Sequence, residues 1–232
     1  MVPPVRGTLG VVSEGSSTRR DRRDSRWDEH RRARREQLVD AAVAAVARHG
    51  AGVGMEEIAA EAGTSKTVVY RHFTDRTGLH VAVCARVAAS LTERLREALA
   101  HDDPPRAVLA TAVETYLAFI EADPELYRFV VASPLRDHPV DADPVGTLSD
   151  LAGEQAAALV AAALEGAGRD RAAALPWGHG LVGLVRAAGD WWLRAERPLP
   201  RADLAASLTE LAWTGLHGLL PARTAPTPEE TP

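Results

Sequence analysis

The stretch from position 54 to 76, GMEEIAAEAGTSKTVVYRHFTDR, constrains the fold of this chain more than any other. A short helical run carries Ile58 and Ala62, Gly63 breaks it, and Thr64 or Ser65 can cap a second short run carrying Val69 and Phe73. Two such helices can pack at a steep angle around one small core, which is a helix-turn-helix. Once Ile58, Ala62, Val69 and Phe73 point inward, helical geometry sends Lys66, Thr67, Tyr70 and Arg71 outward together. Side chains of these types suit phosphate oxygens and base edges.

The flanking sequence is helical as well. Leu38, Ala41, Ala42, Ala45 and Val46 follow the three- and four-residue spacing of an amphipathic helix, predicted to begin near Arg31 and to stop at Gly50 and Gly52. A long helix is predicted over 76–100, ended by Pro104 and Pro105, which cannot continue it. Further helices are predicted over 107–122, 124–132, 145–165, 172–196 and 201–219, with an irregular proline-rich loop over 133–146. Strand-like alternation is nowhere present, so the fold class is all-α. We read 28–76 as the helix-turn-helix domain and 77–220 as a larger helical domain. Residues 1–27 read as a mobile basic arm and 221–232 as a flexible tail rich in Pro and Thr.

Charge separates the two parts. The net charge is −5, yet residues 1–76 hold 14 basic and 11 acidic side chains, while 77–232 hold 13 and 21. A polyanion is drawn to one end and repelled by the other. An apolar fraction of 46% with 25% charged residues fits an ordinary water-soluble protein, and no apolar run is long enough to span a membrane, so a cytoplasmic location and no membrane partner are expected. Cys84 is the only cysteine and reads as a small buried hydrophobe. The eight histidines show no paired ligand spacing, and neither a nucleophile elbow nor a phosphate-cradling glycine loop is present. No metal, no cofactor and no enzymatic activity are expected.

The spacing Ile58-Ala59, Ala62-Gly63, Ser65, Tyr70, His72-Phe73 and Leu79 resembles the DNA-binding domain of the TetR family over 37–83. The family's usual lysine after the recognition helix is here Arg76, followed by Thr77 and Gly78. The resemblance implies a homodimeric regulator, in the usual case a repressor, that binds a palindromic double-stranded operator and responds to a small-molecule effector. Carried over by position, Lys66 and Thr67 reach base edges or nearby phosphates, Tyr70 hydrogen-bonds a phosphate, and His72 and Arg76 fix the domain on the backbone, with Thr64, Ser65 and Arg71 also expected among the DNA-binding residues. Met55 sits at the start of the second helix, where backbone amides can also meet a phosphate.

For the larger domain the resemblance implies an effector pocket, with Tyr116, Phe119, Ile120, Tyr127, Phe129, Trp177 and Trp191 as candidate lining. It also implies a four-helix dimer interface, with Leu181, Leu184, Val185, Ala188, Trp192, Leu204, Leu208, Leu211 and Leu216 as candidates. Gly180, Gly183, Gly189 and Gly215 weaken their helices by about 1 kcal/mol each relative to Ala, so each needs a packing reason. The runs from Phe119 to Phe129 and from Gly180 to Val185 are similar to a subset of these regulators tied to lipid metabolism, which points to a lipid or acyl-CoA effector. The alternative is a helical adaptor whose helix-turn-helix no longer binds DNA.

Overall fold

A computed structural model describes residues 17–100, 103–131, 144–166 and 168–217, and all regular structure among them is helical. The order is α1 (Ser17–His49), α2 (Met55–Glu61), α3 (Lys66–His72), α4 (Arg76–Ala98), α5 (Pro105–Ala122), α6 (Pro124–Val131), α7 (Pro144–Gly166), a 3-10 turn (Arg171–Ala173), α8 (Ala174–Arg194) and α9 (Arg201–His217). Most boundaries fall within a few residues of those predicted.

The exception is the start of α1. The helix begins at Ser17, inside the segment expected to be an arm without regular structure. Its first turns carry no apolar stripe, so hydrophobic periodicity could not register them. Arg has high helix propensity, and exposed pairs such as Arg31 with Asp28 sit one turn apart. The remainder of the expected arm, 1–16, lies outside the described residues, as do the loop over 132–143 and the tail from 218 onward.

Three apolar clusters organise the molecule. The first joins Leu38, Ala42 and Val46 of α1 to Ile58, Val69 and Phe73 of the helix-turn-helix and to Leu79, Val83 and Val87 of α4. Phe129 and Val130 of α6 complete it, the Phe129 ring lying 4.8 Å from that of buried His80. The core under the helix-turn-helix therefore runs past position 76, through the first half of α4 and into α6. Cys84 is buried within it, as expected.

The second cluster packs α5 against α8 and α9 through Leu117, Ile120, Trp192, Leu204 and Leu208. Trp192 is fully buried and its indole donates to the Leu199 carbonyl at 2.8 Å. Arg201, the first residue of α9, binds Glu114 and Glu121 of α5 and so pins the entry of that helix. The third cluster joins α7 and α8 through Val160, Leu164 and Ala174, with Trp177 and Leu181 packed against it. There the backbones meet so closely that a Cβ built on Gly178 would lie 2.4 Å from both Ala157 N and Gly153 O.

Candidate nucleic-acid interface

The turn between α2 and α3 is set by a single left-handed residue. Gly63 has φ +59°, which lets its amide donate to the Ala60 carbonyl at 3.0 Å and the Thr64 amide to Ala59 at 2.9 Å. This paired closure ends α2 and redirects the chain into α3. Val69 and Phe73 are then 0% and 2% exposed, and Ile58 is 3% exposed. Burying these three fixes the rotation of α3 about its axis.

The opposite side of α3 presents Ser65, Lys66, Thr67, Tyr70 and Arg71 to solvent, with Thr64 and His72 half-buried at the margins. The structure thus brings the sequence-predicted reading residues onto one surface. Met55 opens α2 as expected, and its side chain is buried in the first cluster, because it falls on the inward stripe of α2 with Ile58 and Ala59. Only its main chain remains at the helix start. Arg76 is exposed, but its guanidinium donates to the Val53 carbonyl at 3.0 Å, tying the beginning of α4 to the loop ahead of α2. Asp75 caps α4 by accepting from the Gly78 amide at 2.7 Å, which gives the unusual Thr77-Gly78 pair a place in an ordinary helix start.

Two basic residues missed by sequence reasoning border this surface. Arg35 stacks 4.7 Å from the centre of the Phe73 ring, and Arg34 and Arg35 both act on His72. Partial burial, then the positive charge of Arg71, Arg34 and Arg35, holds the His72 imidazole below its usual pKa. The run Arg31-Arg32-Ala33-Arg34-Arg35 was the available signal. Glu56 was missed as well: its carboxylate accepts from Lys66 Nζ at 3.1 Å, which raises the pKa of the lysine.

Of the expected pocket residues, Phe119, Ile120 and Tyr127 come together. They line a groove of about 500 Å³ that also touches Val43 and Ala47 of α1 and Arg86 and Arg94 of α4. The Arg94 guanidinium lies 5.3 Å from the centre of the Phe119 ring. The other four are elsewhere. Tyr116 faces α8 in the second cluster, and its hydroxyl reaches no partner at hydrogen-bonding geometry among the described residues, although Tyr127 is near enough to influence it. Burial raises the pKa of both phenols. Phe129 belongs to the first cluster, Trp177 to the third, and Trp191 is 48% exposed.

Three of the expected dimer residues need correction. Trp192, Leu204 and Leu208 are buried in this chain's own second cluster, with Leu184, Val185 and Ala188 packed on it, and Leu181 packs on the third. The apolar stripes on α8 and α9 are turned toward α5 and α7, which bury Trp192, Leu204 and Leu208 and leave Leu181, Leu184, Val185 and Ala188 half-buried. Leu211 is 60% exposed, as an interface residue would be in a single chain, and the Leu216 side chain lies outside the described residues. Gly180, Gly183, Ala187 and Trp191 form the outward stripe of α8 instead. Gly189 has its packing reason within the chain, since a Cβ there would meet Ile120 Cδ1 at 2.8 Å, whereas Gly180, Gly183 and Gly215 face open space.

No group of acidic, histidine or cysteine side chains among the described residues could hold a metal ion, and none of their helices is long and apolar enough to cross a membrane.

The family model for bacterial regulatory proteins of the tetR family matches residues 38–83, and that for the tetracyclin repressor-like C-terminal domain matches 94–226. An uncharacterised HTH-type transcriptional regulator of Mycobacterium tuberculosis is 34% identical over 204 residues, covering 87% of this chain and 85% of the relative. The HTH-type transcriptional activator FasR of Mycolicibacterium smegmatis is 32% identical over 181 residues, covering 77% and 80%. In fold, the chain is similar to the transcriptional regulator FadR of Bacillus subtilis solved in complex with stearoyl-CoA. The TM-score is 0.64 at 17% identity, over 78% of this chain and 99% of that one. A tetR-family regulator of Streptomyces coelicolor gives a TM-score of 0.66 at 21% identity, over 81% and 82%.

Proposed function

The chain belongs to the TetR family of transcriptional regulators, and from that premise we propose that two copies bind a palindromic operator and release it when a small apolar effector occupies each sensing domain. The observation that carries this reading is the single exposed face of Ser65, Lys66, Thr67, Tyr70 and Arg71 over buried Val69 and Phe73. Two such faces would enter successive major grooves about 34–36 Å apart. Dimerisation is supported by the outward stripe of Gly180, Gly183, Ala187 and Trp191 on α8 and by exposed Leu211 on α9.

The groove between α1, α4, α5 and α6 supports the effector reading. It is walled mainly by apolar side chains, carries the Arg94 guanidinium together with an Arg86 already paired to Asp40 and Glu36, and touches the first helix of the DNA-binding part directly. An effector there acts only if it binds the released arrangement of α1 and α4 better than the DNA-bound one. A lipid or acyl-CoA ligand is supported by the apolar walls and the Arg94 guanidinium, and the structural neighbour from Bacillus subtilis was solved with stearoyl-CoA. Repression relieved by ligand is the primary reading. The name of the Mycolicibacterium smegmatis relative, an activator, favours activation as the second.

Selection of genomic fragments by the purified chain, followed by gel-shift titration, tests the core of this proposal. Tyr70→Phe and Lys66→Ala are expected to weaken binding to the selected site while the parent's oligomeric state persists. Affinity is expected to fall steeply between about 50 and 200 mM salt as phosphate contacts displace counterions. Unchanged affinity in both variants, or flat salt dependence, would remove α3 as the reading element.

A further inference from the structure

We propose that Glu56 is a specificity-determining residue of the DNA-reading surface, acting with Lys66 as a paired acceptor and donor that selects one cytosine–guanine base pair in each half-site. This rests on the operator-binding reading above.

The three carboxylates of α2 have different occupations. Glu57 accepts from the Gly54 amide at 3.1 Å and so caps its own helix. Glu61, its side chain 17% exposed, takes Arg48 at 2.6 Å. Glu56 is 78% exposed and reaches across the turn to Lys66 Nζ at 3.1 Å. Lys66 is the first residue of α3 and the only lysine in the chain. Residues at the start of a recognition helix are those that contact base edges.

A carboxylate among phosphates is repelled unless it meets a donor, and an ionised carboxylate can only accept. The major groove offers two kinds of donor, cytosine N4 and adenine N6. Adenine presents the N7 acceptor beside its amine, which repels a carboxylate. Cytosine presents no acceptor there. Across the pair, guanine offers O6 and N7 together to a cation, whereas thymine offers O4 alone beside a methyl group. Cytosine N4 and guanine O6 are hydrogen-bonded to one another, so they lie about 2.9–3.0 Å apart. The protein's acceptor and donor, 3.1 Å apart, are spaced to meet that pair of atoms side by side.

The same contact restrains indiscriminate binding. An ammonium group on its own attracts any phosphate, the source of sequence-independent affinity. Glu56 offsets that attraction and leaves Lys66 most useful where a cytosine occupies the carboxylate.

The test is selection from a randomised duplex pool with the parent chain, Glu56→Gln and Glu56→Ala, followed by titration of the selected site and its single-base variants. The parent is expected to select a C·G pair at one position per half-site and to lose on the order of tenfold in affinity when it is replaced. Glu56→Gln is expected to shift that position toward adenine, which glutamine reads through N6 and N7, with other positions unchanged. Glu56→Ala is expected to lose the preference and to bind random duplex more tightly, with steeper salt dependence. Identical preferences in the parent and Glu56→Gln, or no C·G position in the parent's site, would overturn the proposal. A parent that enriches no sequence would overturn the operator reading itself, a result separate from any behaviour of the variants. Glu56 is exposed, so unchanged circular dichroism is expected in both variants.

Discussion

Gly178→Ala puts the closest packing of the molecule to a quantitative test. A Cβ at this position would sit 2.4 Å from Ala157 N and Gly153 O and 2.7 Å from Ala157 Cα, where ordinary contact begins near 3.4 Å. All three are main-chain atoms of α7, so no side chain can swing away, and α7 and α8 must separate by about 1 Å. Overpacking of this kind costs about 1–3 kcal/mol. A gap of that size also forfeits roughly a quarter to a half of each dispersion contact along the seam. The gain in helix propensity from Gly to Ala offsets about 1 kcal/mol.

We expect a net loss of about 2 kcal/mol, read as a lower urea midpoint with unchanged slope and as a fall in Tm of roughly 4–8 °C. Gly183→Ala is the matched control, because nothing lies within 4 Å of a Cβ there. In a separated chain it should gain up to about 1 kcal/mol from propensity alone. Under the dimer reading it should at the same time weaken association, since the second copy would meet the added methyl. Full stability in Gly178→Ala would show that α7 and α8 do not meet at this point, and the packing argument would fail with it.

Three further outcomes are expected. The His72 imidazole is held below its usual pKa by burial and neighbouring arginines, so protonation disfavours the free fold: its contribution to stability should decline as pH falls below about 6.5, with no further loss from this group below the depressed value. Nearby phosphates favour the charged form, so operator affinity should rise over the same fall in pH, and His72→Gln should flatten that rise; equal profiles in both proteins would take His72 off the DNA backbone. Under the dimer reading, Trp191→Asp should convert the proposed dimer to monomers in sedimentation velocity without loss of helical signal, since Trp191 is outside the chain's own core; a variant that still dimerises would place the interface elsewhere. Glu125→Gln weakens the link to the loop ahead of α2, so it should lower operator affinity and blunt the proposed ligand response, and an unchanged affinity and response would disconnect α6 from the proposed switch.

The elements were legible wherever one apolar stripe recorded them. Val69 and Phe73 point inward as the spacing required, and the exposed row on α3 follows from that one fact. The side of α8 used by each neighbour was not legible, because α8 carries apolar residues around much of its circumference. Trp191 and Trp192 were expected at the pocket and the interface, whereas Trp192 fills this chain's core and Trp191 faces out. Helical period indicates that the two differ by about 100°, but only the position of α5 decides which is inside. For Met55 the place at a helix start was visible, whereas the burial of its side chain in the first cluster was not. The partnership of Glu56 with Lys66 spans ten positions and a turn, so no periodic signal reports it.

The groove gains its meaning from α6, a helix of eight residues that touches each part of the proposed switch. Leu126 and Tyr127 wall the groove, Phe129 and Val130 sit in the core beneath the helix-turn-helix, and the Glu125 carboxylate accepts from the Ala51 amide at 3.0 Å in the loop that leads into α2. That hydrogen bond, together with Arg128, holds the Glu125 carboxyl below its ordinary pKa, so at neutral pH it is a charged acceptor directed at the loop. Gly50, at φ +84°, turns the chain there, and a Cβ on it would come 3.2 Å from Glu125 Oε2. Under the proposed effector reading, a molecule that widens the groove would move α1 relative to α5 and α6, and the 3.0 Å link at Ala51 could not stretch to follow. Either α6 travels with the loop and carries Phe129 through the first core, or the link breaks and α2 loses a support. Both outcomes would change how α3 is presented, so under the proposed effector reading a helix with no contact to the groove would still answer to what fills it.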